Sequence, residues 1–383
     1  MPNPILTEAI DRLCRSEALT ADEATAVLRE VMEGRASEAQ TAGLLIAFRT
    51  KGETVAEIAG MARAMRDLAV KVEPGDDGSP LVDTAGTGGG RPTFNVSTTA
   101  AFVAAGAGCR VAKHGNRSAT GQSGSADVLE ALGARIDLGP EEVARCIDEV
   151  GFGFMFAPHH HPAMKHVVGV RKELAVRTIF NFLGPLTNPA GATRQLIGVS
   201  DGRFLDIVAG ALGELGCDHA LVVASDDGLD ELSISGTTRV VELRAGRIEA
   251  HRVTPESVGL ASAPQDAVAA GTPEKNAGVA RRVLGGDPGA ERDLTVLNAG
   301  AAIYVGGRSD SIEQGVRAAE EAIDSGAARD VLERFVAGTR DRTGDSRGGA
   351  QPERSRGGAQ PERRSGEHRT GGLSGEHRTG DSP

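Results

Sequence analysis

Apolar positions divide the chain into three unequal parts. Between residues 5 and 70 they recur at helical spacing, as at Leu44, Ala47 and Phe48, and three capping signatures punctuate them: Thr20 with Glu23, Ser37 with Gln40, and Thr54 with Glu57. About four short helices are expected there, too few to bury a large core alone, so they should pack on the rest of the chain or on a second subunit. Residues 71–80, with Glu73-Pro74-Gly75-Asp76-Asp77-Gly78, read as a hinge-like linker. From Leu81 onward, short apolar runs alternate with helical patterns. Residues 81–82 precede a helix from Ser97, and residues 110–112 precede one through Asp127 and Leu132. A helix opening at Pro140, where a missing N–H is no loss and Glu141 and Glu142 complement the dipole, precedes 152–156. Residues 195–199 precede a helix over 204–215, and then comes 220–223. This alternation predicts an α/β fold: a mostly parallel sheet flanked by helices, with ligands at the carboxyl ends of the strands.

The remaining patterns complete that outline. Residues 161–174 read as a helical excursion leading towards the turn-rich stretch 183–189, while 239–243 and 247–253 form a hairpin around Ala245-Gly246. Three helical stretches, near 275–284, 293–303 and 311–337, close the domain. The expected organisation is a helical domain over 1–75, a large α/β domain over 76–340 and a tail over 341–383. In the tail, residues 347–354 recur as 356–363 and residues 365–371 as 374–380, with almost no apolar side chains, so it is expected to be disordered.

Composition narrows the functional classes. The chain has 383 residues, no tryptophan and a single tyrosine, so aromatic platforms for nucleic-acid bases are not expected. Its net charge is −11, about −12 over residues 1–340 and +1 in the tail, and the acidic body argues against a nucleic-acid partner, though not against a local basic pocket. The four cysteines are far apart and read as reduced thiols of a cytosolic protein. Pro2, Pro4 and Glu8 break any signal-peptide pattern, and no apolar run reaches the ~20 residues of a membrane span.

Two stretches carry candidate chemistry. Gly86-Thr87-Gly88-Gly89-Gly90 follows a strand and precedes a helix start at Ser97-Thr98-Thr99, an arrangement that lets backbone N–H groups approach an anion closely. Lys113-His114-Gly115-Asn116-Arg117-Ser118 follows the next strand and adds cationic and hydroxyl groups, so the pair suits a ligand with more than one phosphate. Arg91 stands where a dinucleotide fingerprint needs glycine, and no P-loop lysine follows. Asp226-Asp227-Gly228-Leu229-Asp230-Glu231 reads either as a Mg2+ site or as a solvated acidic turn. His159-His160-His161 reads as helix capping and pocket lining rather than a metal centre. A rival reading comes from Gly198-Val199-Ser200-Asp201-Gly202, a literal nucleophile elbow that His251 and one of Asp226, Asp227 or Asp230 would complete into a hydrolase. A non-catalytic protein binding phosphorylated ligands or nucleic acid is a second alternative.

Taken together, Gly86-Thr87-Gly88-Gly89, Phe94-Asn95-Val96-Ser97-Thr98, the run from Lys113 to Ser118, Ser123-Gly124-Ser125-Ala126-Asp127, Arg171, residues 181–189 and Asp230-Glu231 resemble the anthranilate phosphoribosyltransferases over residues 5–337. Pyrimidine nucleoside phosphorylases share the architecture, but the Lys-His-Gly-Asn-Arg and Gly-Pro-Leu-Thr-Asn-Pro runs are similar to the transferase. The resemblance implies a nucleoside phosphorylase/phosphoribosyltransferase-like fold, a homodimer formed through the helical domain, and transfer of phosphoribose from phosphoribosyl diphosphate to anthranilate, with Mg2+, in tryptophan biosynthesis. By position, phosphoribosyl diphosphate would be held by Gly86, Gly89, Thr93, Asn95, Val96, Ser97, Thr98, Lys113, His114, Gly115, Asn116, Arg117, Ser118, Ala119, Thr120, Gly121 and Ser125. Gly86, Asn116 and Arg171 would contact anthranilate, and Ser97, Asp230 and Glu231 would serve the metal. Lys113, Asn116 and Arg171 would matter most, because displacement of diphosphate by an aromatic amine needs charge neutralisation and placement more than a strong base. The family usually has Asp after the paired glycines and a longer loop; here Gly90-Arg91-Pro92 follows, and Arg91 is expected to contact the diphosphate directly.

Overall fold

The computed structural model describes residues 1–118 and 122–340, so the expectations for Ala119, Thr120, Gly121 and the tail lie outside the described residues. Side-chain caps start the first four helices: Asn3 caps α1 (Pro4–Cys14), Thr20 caps α2 (Ala21–Met32), Ser37 caps α3 (Glu38–Lys51) and Thr54 caps α4 (Val55–Asp67). The boxes at Thr20 and Thr54 are complete. At Ser37 only the forward half forms, because Gln40 turns to Asn3 instead, accepting from its N–H at 3.0 Å and donating to its carbonyl at 2.9 Å, which ties α3 to α1. Helices α2 and α4 touch backbone to backbone at Gly60, where a Cβ would lie 2.1 Å from the Ala21 carbonyl oxygen.

The sheet comprises β1 (Leu81–Gly86), β2 (Arg110–Gly115), β3 (Phe152–Phe156), β4 (Arg194–Gly198), β5 (His219–Ser225), β6 (Thr238–Arg244) and β7 (Arg247–Val253), in the order β3-β2-β1-β4-β5-β6-β7. The first five strands are parallel, and β5, β6 and β7 pair antiparallel. The expected hairpin is present, with Ala245 and Gly246 both at positive φ, as a two-residue turn of this kind demands.

Helices cover both faces. Crossovers carry α5 (Val96–Gly106), α6 (Ser125–Leu132), α7 (Pro140–Val150), the single turn α8 (Ala157–His160), α9 (Lys165–Leu174), α10 (Phe180–Leu186) and α11 (Leu205–Glu214). The chain then closes with α12 (Pro273–Leu284), α13 (Ala290–Val305), α14 (Ile312–Asp324) and α15 (Ala327–Arg340). The single stretch expected over 311–337 is therefore two helices, broken where Gly326 takes φ +80°.

Alternate residues of one strand serve opposite cores. Leu196, Leu221 and Val223 join α5, α13 and α15, where Phe102, Phe152 and Phe335 stack. Ile197, Ala220 and Val222 join the four N-terminal helices with α9, α10 and α11. Arg66 of α4 donates to the carbonyls of Leu186 and Leu215, fixing the helical segment to that face. The expected hinge-like linker is tied down: Val72 N–H donates to the Pro189 carbonyl, and Arg110 pairs both with Asp77 inside the linker and with Asp148 of α7.

Candidate active site

Strand β1 lies between β2 and β4, so the crossovers leave it in opposite directions and a crevice opens at its carboxyl end. Gly86 and Gly198, the last residues of β1 and β4, pair in register and make its floor. The Asp230 segment rests directly on them. A Cβ on Gly198 would lie 1.6 Å from the Asp230 carbonyl oxygen, and Cβ atoms on Gly90 and Gly86 would meet its carboxylate at 2.6 and 3.2 Å. Two glycines thus admit the carboxylate and a third admits the backbone that carries it.

The glycine loop folds over this floor with Gly88 and Gly89 at φ +68° and +81°, where other residues are strained. The Gly88 N–H faces the Asp230 carboxylate and lowers its pKa against the effect of burial. Arg91 anchors the far end: its N–H donates to Gly228, and its guanidinium pairs with Asp227 at 3.0 Å and donates to the Gln265 carbonyl at 2.9 Å. The expectation that Arg91 reaches a diphosphate directly does not fit this geometry, since its charge is already matched by Asp227.

Beneath the loop lies a fully buried ammonium. Lys113 of β2 donates to the Thr84 carbonyl, to Thr84 Oγ1 at 3.2 Å and to Ser97 Oγ at 3.4 Å. The Ser97 N–H, in the first turn of α5, faces Glu231 and lowers its pKa. Asp83, also buried, accepts from Asn188 Nδ2 at 2.7 Å and from the His114 N–H at 3.2 Å. Burial pushes the Asp83 carboxyl up to about 6 against the pull of Lys113. Burial and the neighbouring Asp230 raise Glu231 well above the ordinary carboxyl range, and burial raises Asp230 too. Burial lowers Lys113, with Asp83 and Glu231 opposing. The cluster is short of positive charge.

The second loop divides by role. Asn116 is exposed, and its carbonyl accepts from Ser125 Oγ at 3.2 Å. Arg117 pairs with Asp127 and Glu130, and the Ser118 and Gly124 N–H groups both donate to Asp127 Oδ2, which closes the loop over α6. Thr93 donates to the Val268 carbonyl, and Asn95 gathers Ser123 and Asn276. Val96 is packed in the core, and the buried Thr98 hydroxyl has no partner among the described residues. The expected residues that converge are therefore Gly86, Gly89, Ser97, Lys113, Asp230 and Glu231, while Thr93, Asn95 and Arg117 are engaged in holding their own loops.

His114 and His161 face each other with ring centroids 5.1 Å apart, and burial holds them down to about 3 and about 4. His160 lies against the Val70 carbonyl at 3.1 Å, which agrees with pocket lining. Among the described residues no group of three or more His, Cys, Asp or Glu side chains is placed to enclose a metal by itself.

Arg171, in the last turn of α9, is half-buried over the Phe180 ring at 5.3 Å. Burial lowers its pKa, and no carboxylate among the described residues pairs with it. Six residues on stands an arginine that sequence reasoning missed. Arg177 donates to the Gly88 carbonyl at 2.7 Å and to Ser200 Oγ at 2.6 Å. It stands in an unpatterned connection, and no motif marks it. The hydrolase reading fails here, because the Ser200 hydroxyl meets a guanidinium rather than a base. His251 lies on the outer strand β7, in a groove with Arg239 and Arg252.

Known proteins resemble the chain along most of its length. Residues 7–69 match the model of the glycosyl transferase family helical bundle domain, and residues 78–329 that of the glycosyl transferase family a/b domain. An anthranilate phosphoribosyltransferase from Halorhodospira halophila is 53% identical over 337 residues, covering 88% of this chain and 98% of that protein. The crystal structure of anthranilate phosphoribosyltransferase from Thermus thermophilus superposes with a TM-score of 0.82 at 48% identity, covering 87% of this chain and 99% of that one. The Saccharomyces cerevisiae enzyme in complex with phosphoribosyl diphosphate and Mg superposes with a TM-score of 0.79 at 27% identity, covering 87% and 97%. A further structure of the yeast enzyme holds 4-fluoroanthranilate.

Proposed function

The chain belongs to the anthranilate phosphoribosyltransferase family, and we propose that the crevice at the ends of β1 and β4 is where it transfers the phosphoribosyl group of phosphoribosyl diphosphate to anthranilate. The products are N-(5-phosphoribosyl)anthranilate and diphosphate. The observation that carries the location is the convergence of Lys113, Ser97, Asp230 and Glu231 beneath a loop of left-handed glycines. In this reading the loop N–H groups, the first turn of α5 and Lys113 bind the diphosphate, and Asn116 lines the acceptor side. Arg171 takes the anthranilate carboxylate, which would supply the anion its guanidinium lacks.

The carboxyl cluster suits a divalent cation. Burial raises Asp230, and burial together with Asp230 raises Glu231, a penalty that a bound cation would relieve; Mg2+ binds through one or two carboxylates plus substrate phosphates rather than in an all-protein cage. Ser97, Asp230 and Glu231 would hold it, and when bound it neutralises charge on the departing diphosphate. The chain's own residues act by placement. The amine lone pair forms the bond to ribose C1, the C1–O bond breaks with its electrons passing to diphosphate, and the surplus amine proton is released. No side chain needs to be a nucleophile.

Two coarser readings go with this one. Residues 1–75 would form the helical domain of a homodimer, a role supported by exposed Ile5, Ile46 and Val168 on α1, α3 and α9. Four free thiols, three of them buried, support a reducing, cytoplasmic setting. No helix of the described residues is long and apolar enough to cross a membrane. The test of the activity is the loss of anthranilate fluorescence with phosphoribosyl diphosphate and Mg2+. Folded protein that consumes no anthranilate would refute it, and chelation should abolish the loss until Mg2+ is returned.

A further inference from the structure

Arg177 holds a position that the reaction so far described does not use. The peptides of the glycine loop have few ways to be fixed, because Gly88 and Gly89 carry no side chains and sit at φ +68° and +81°. Residue 88 is nevertheless held by a side chain from outside the loop. Its carbonyl accepts from Arg177 Nη2 at 2.7 Å, while its N–H faces the Asp230 carboxylate. The same nitrogen donates to Ser200 Oγ at 2.6 Å, and a Cβ on Gly89 would lie 2.4 Å from it, so the guanidinium is seated against the loop backbone. From behind, Arg49 of α3 donates to the Arg177 carbonyl at 2.8 Å.

The connection bearing Arg177 begins at the acceptor's cation. Arg171 ends α9, Ala175 breaks the helix in the left-handed region at φ +50°, and Arg177 follows two residues later. A short, strained connection of this kind passes a displacement at one end to the other. We propose that Arg177 is a positioning residue for phosphoribosyl diphosphate: it holds the Gly88 peptide so that the loop N–H groups face the ligand, and an anion on Arg171 tightens that hold. The inference rests on the donor and acceptor sites proposed above.

The test is calorimetric binding of phosphoribosyl diphosphate with Mg2+ to wild type, Arg177→Ala, Arg177→Lys and Ser200→Ala, with and without benzoate, which has the acceptor's carboxylate but no attacking amine. A charge-assisted hydrogen bond is lost in Arg177→Ala, so affinity should fall on the order of tenfold while the melting temperature stays unchanged, the side chain being exposed. Lysine should recover part of this, and Ser200→Ala should stay within about threefold of wild type because the Gly88 contact survives. Benzoate should tighten binding to wild type but not to Arg177→Ala. Equal affinity in wild type and Arg177→Ala, a Ser200→Ala variant as weak as Arg177→Ala, or a wild type indifferent to benzoate each overturns the inference alone. A wild type that does not bind phosphoribosyl diphosphate overturns the site assignment with it.

Discussion

Replacing Arg171 by alanine separates a binding role from a structural one, because the two predict opposite balances. A guanidinium paired within the fold would take a salt bridge with it when removed. Arg171 has no such partner among the described residues: it lies over the Phe180 ring at 5.3 Å, and burial alone lowers its pKa. Loss of the ring contact costs about 0.5–1 kcal/mol. Relief of an unmatched, half-buried cation works in the other direction, so the two nearly cancel and the melting temperature should move by no more than about 3 °C. The bond to the acceptor carboxylate has no such offset. A hydrogen bond between charged groups contributes roughly 1.5–3 kcal/mol, which places the rise in the anthranilate KM at about 10- to 100-fold. Initial rates from anthranilate fluorescence, with each substrate varied in turn, measure this directly. Lysine at 171 should fall between, keeping the charge but losing the planar fork. The reasoning is refuted if the phosphoribosyl diphosphate KM rises more than the anthranilate KM, or if the protein melts more than about 8 °C earlier with both constants unchanged.

Other expectations follow from the same geometry. Gly90→Ala would push a methyl against the Asp230 carboxylate, so the Mg2+ concentration needed for half-maximal activity should rise and stability should drop by about 1–3 kcal/mol; an unchanged Mg2+ titration counts against Asp230 as a metal ligand. Arg91→Ala removes the ion pair to Asp227, whose carboxylate keeps Ser225 and Ser233 as donors, so urea denaturation should show a loss of about 1–3 kcal/mol without ligand; an altered phosphoribosyl diphosphate KM at unchanged stability would instead restore direct contact. His161 stays neutral in the folded chain down to about pH 4, whereas the unfolded chain takes up its proton below about 6.5, so its contribution is present above that value and lost as pH falls. The deficit of His161→Asn relative to wild type at pH 7 should therefore shrink by about 2 kcal/mol at pH 5, and a constant deficit contradicts a neutral buried imidazole.

Local chemistry was readable wherever a residue's neighbours in sequence are also its partners in space. The caps at Thr20 and Thr54, the turn at Ala245-Gly246 and the glycine loop before α5 are of this kind. The approach of Asp230 to Gly198 was not readable, because it depends on β4 lying beside β1. Gln40 looked like half of a capping box, yet it is drawn to Asn3, 37 residues away. Arg91 and Arg177 show the same limit. The one inside the motif pairs with Asp227, and the one in a featureless connection reaches the loop. A single arginine reaches so far that its nearest acceptor in space, not in sequence, decides its role.

The hairpin at the far end of the sheet bears on how the protein behaves at high concentration. Strand β7 has one side unpaired and six of its seven residues exposed, a template on which another chain's strand could lengthen the sheet. Arg247, Glu249, His251 and Arg252 interrupt it, leaving Ile248 and Ala250 as isolated apolar positions. An incoming strand would have to strip water from these charges for little apolar gain. The outer strand therefore acts as a gatekeeper against edge-to-edge aggregation, and neutralising substitutions there would shorten shelf life before they touched turnover.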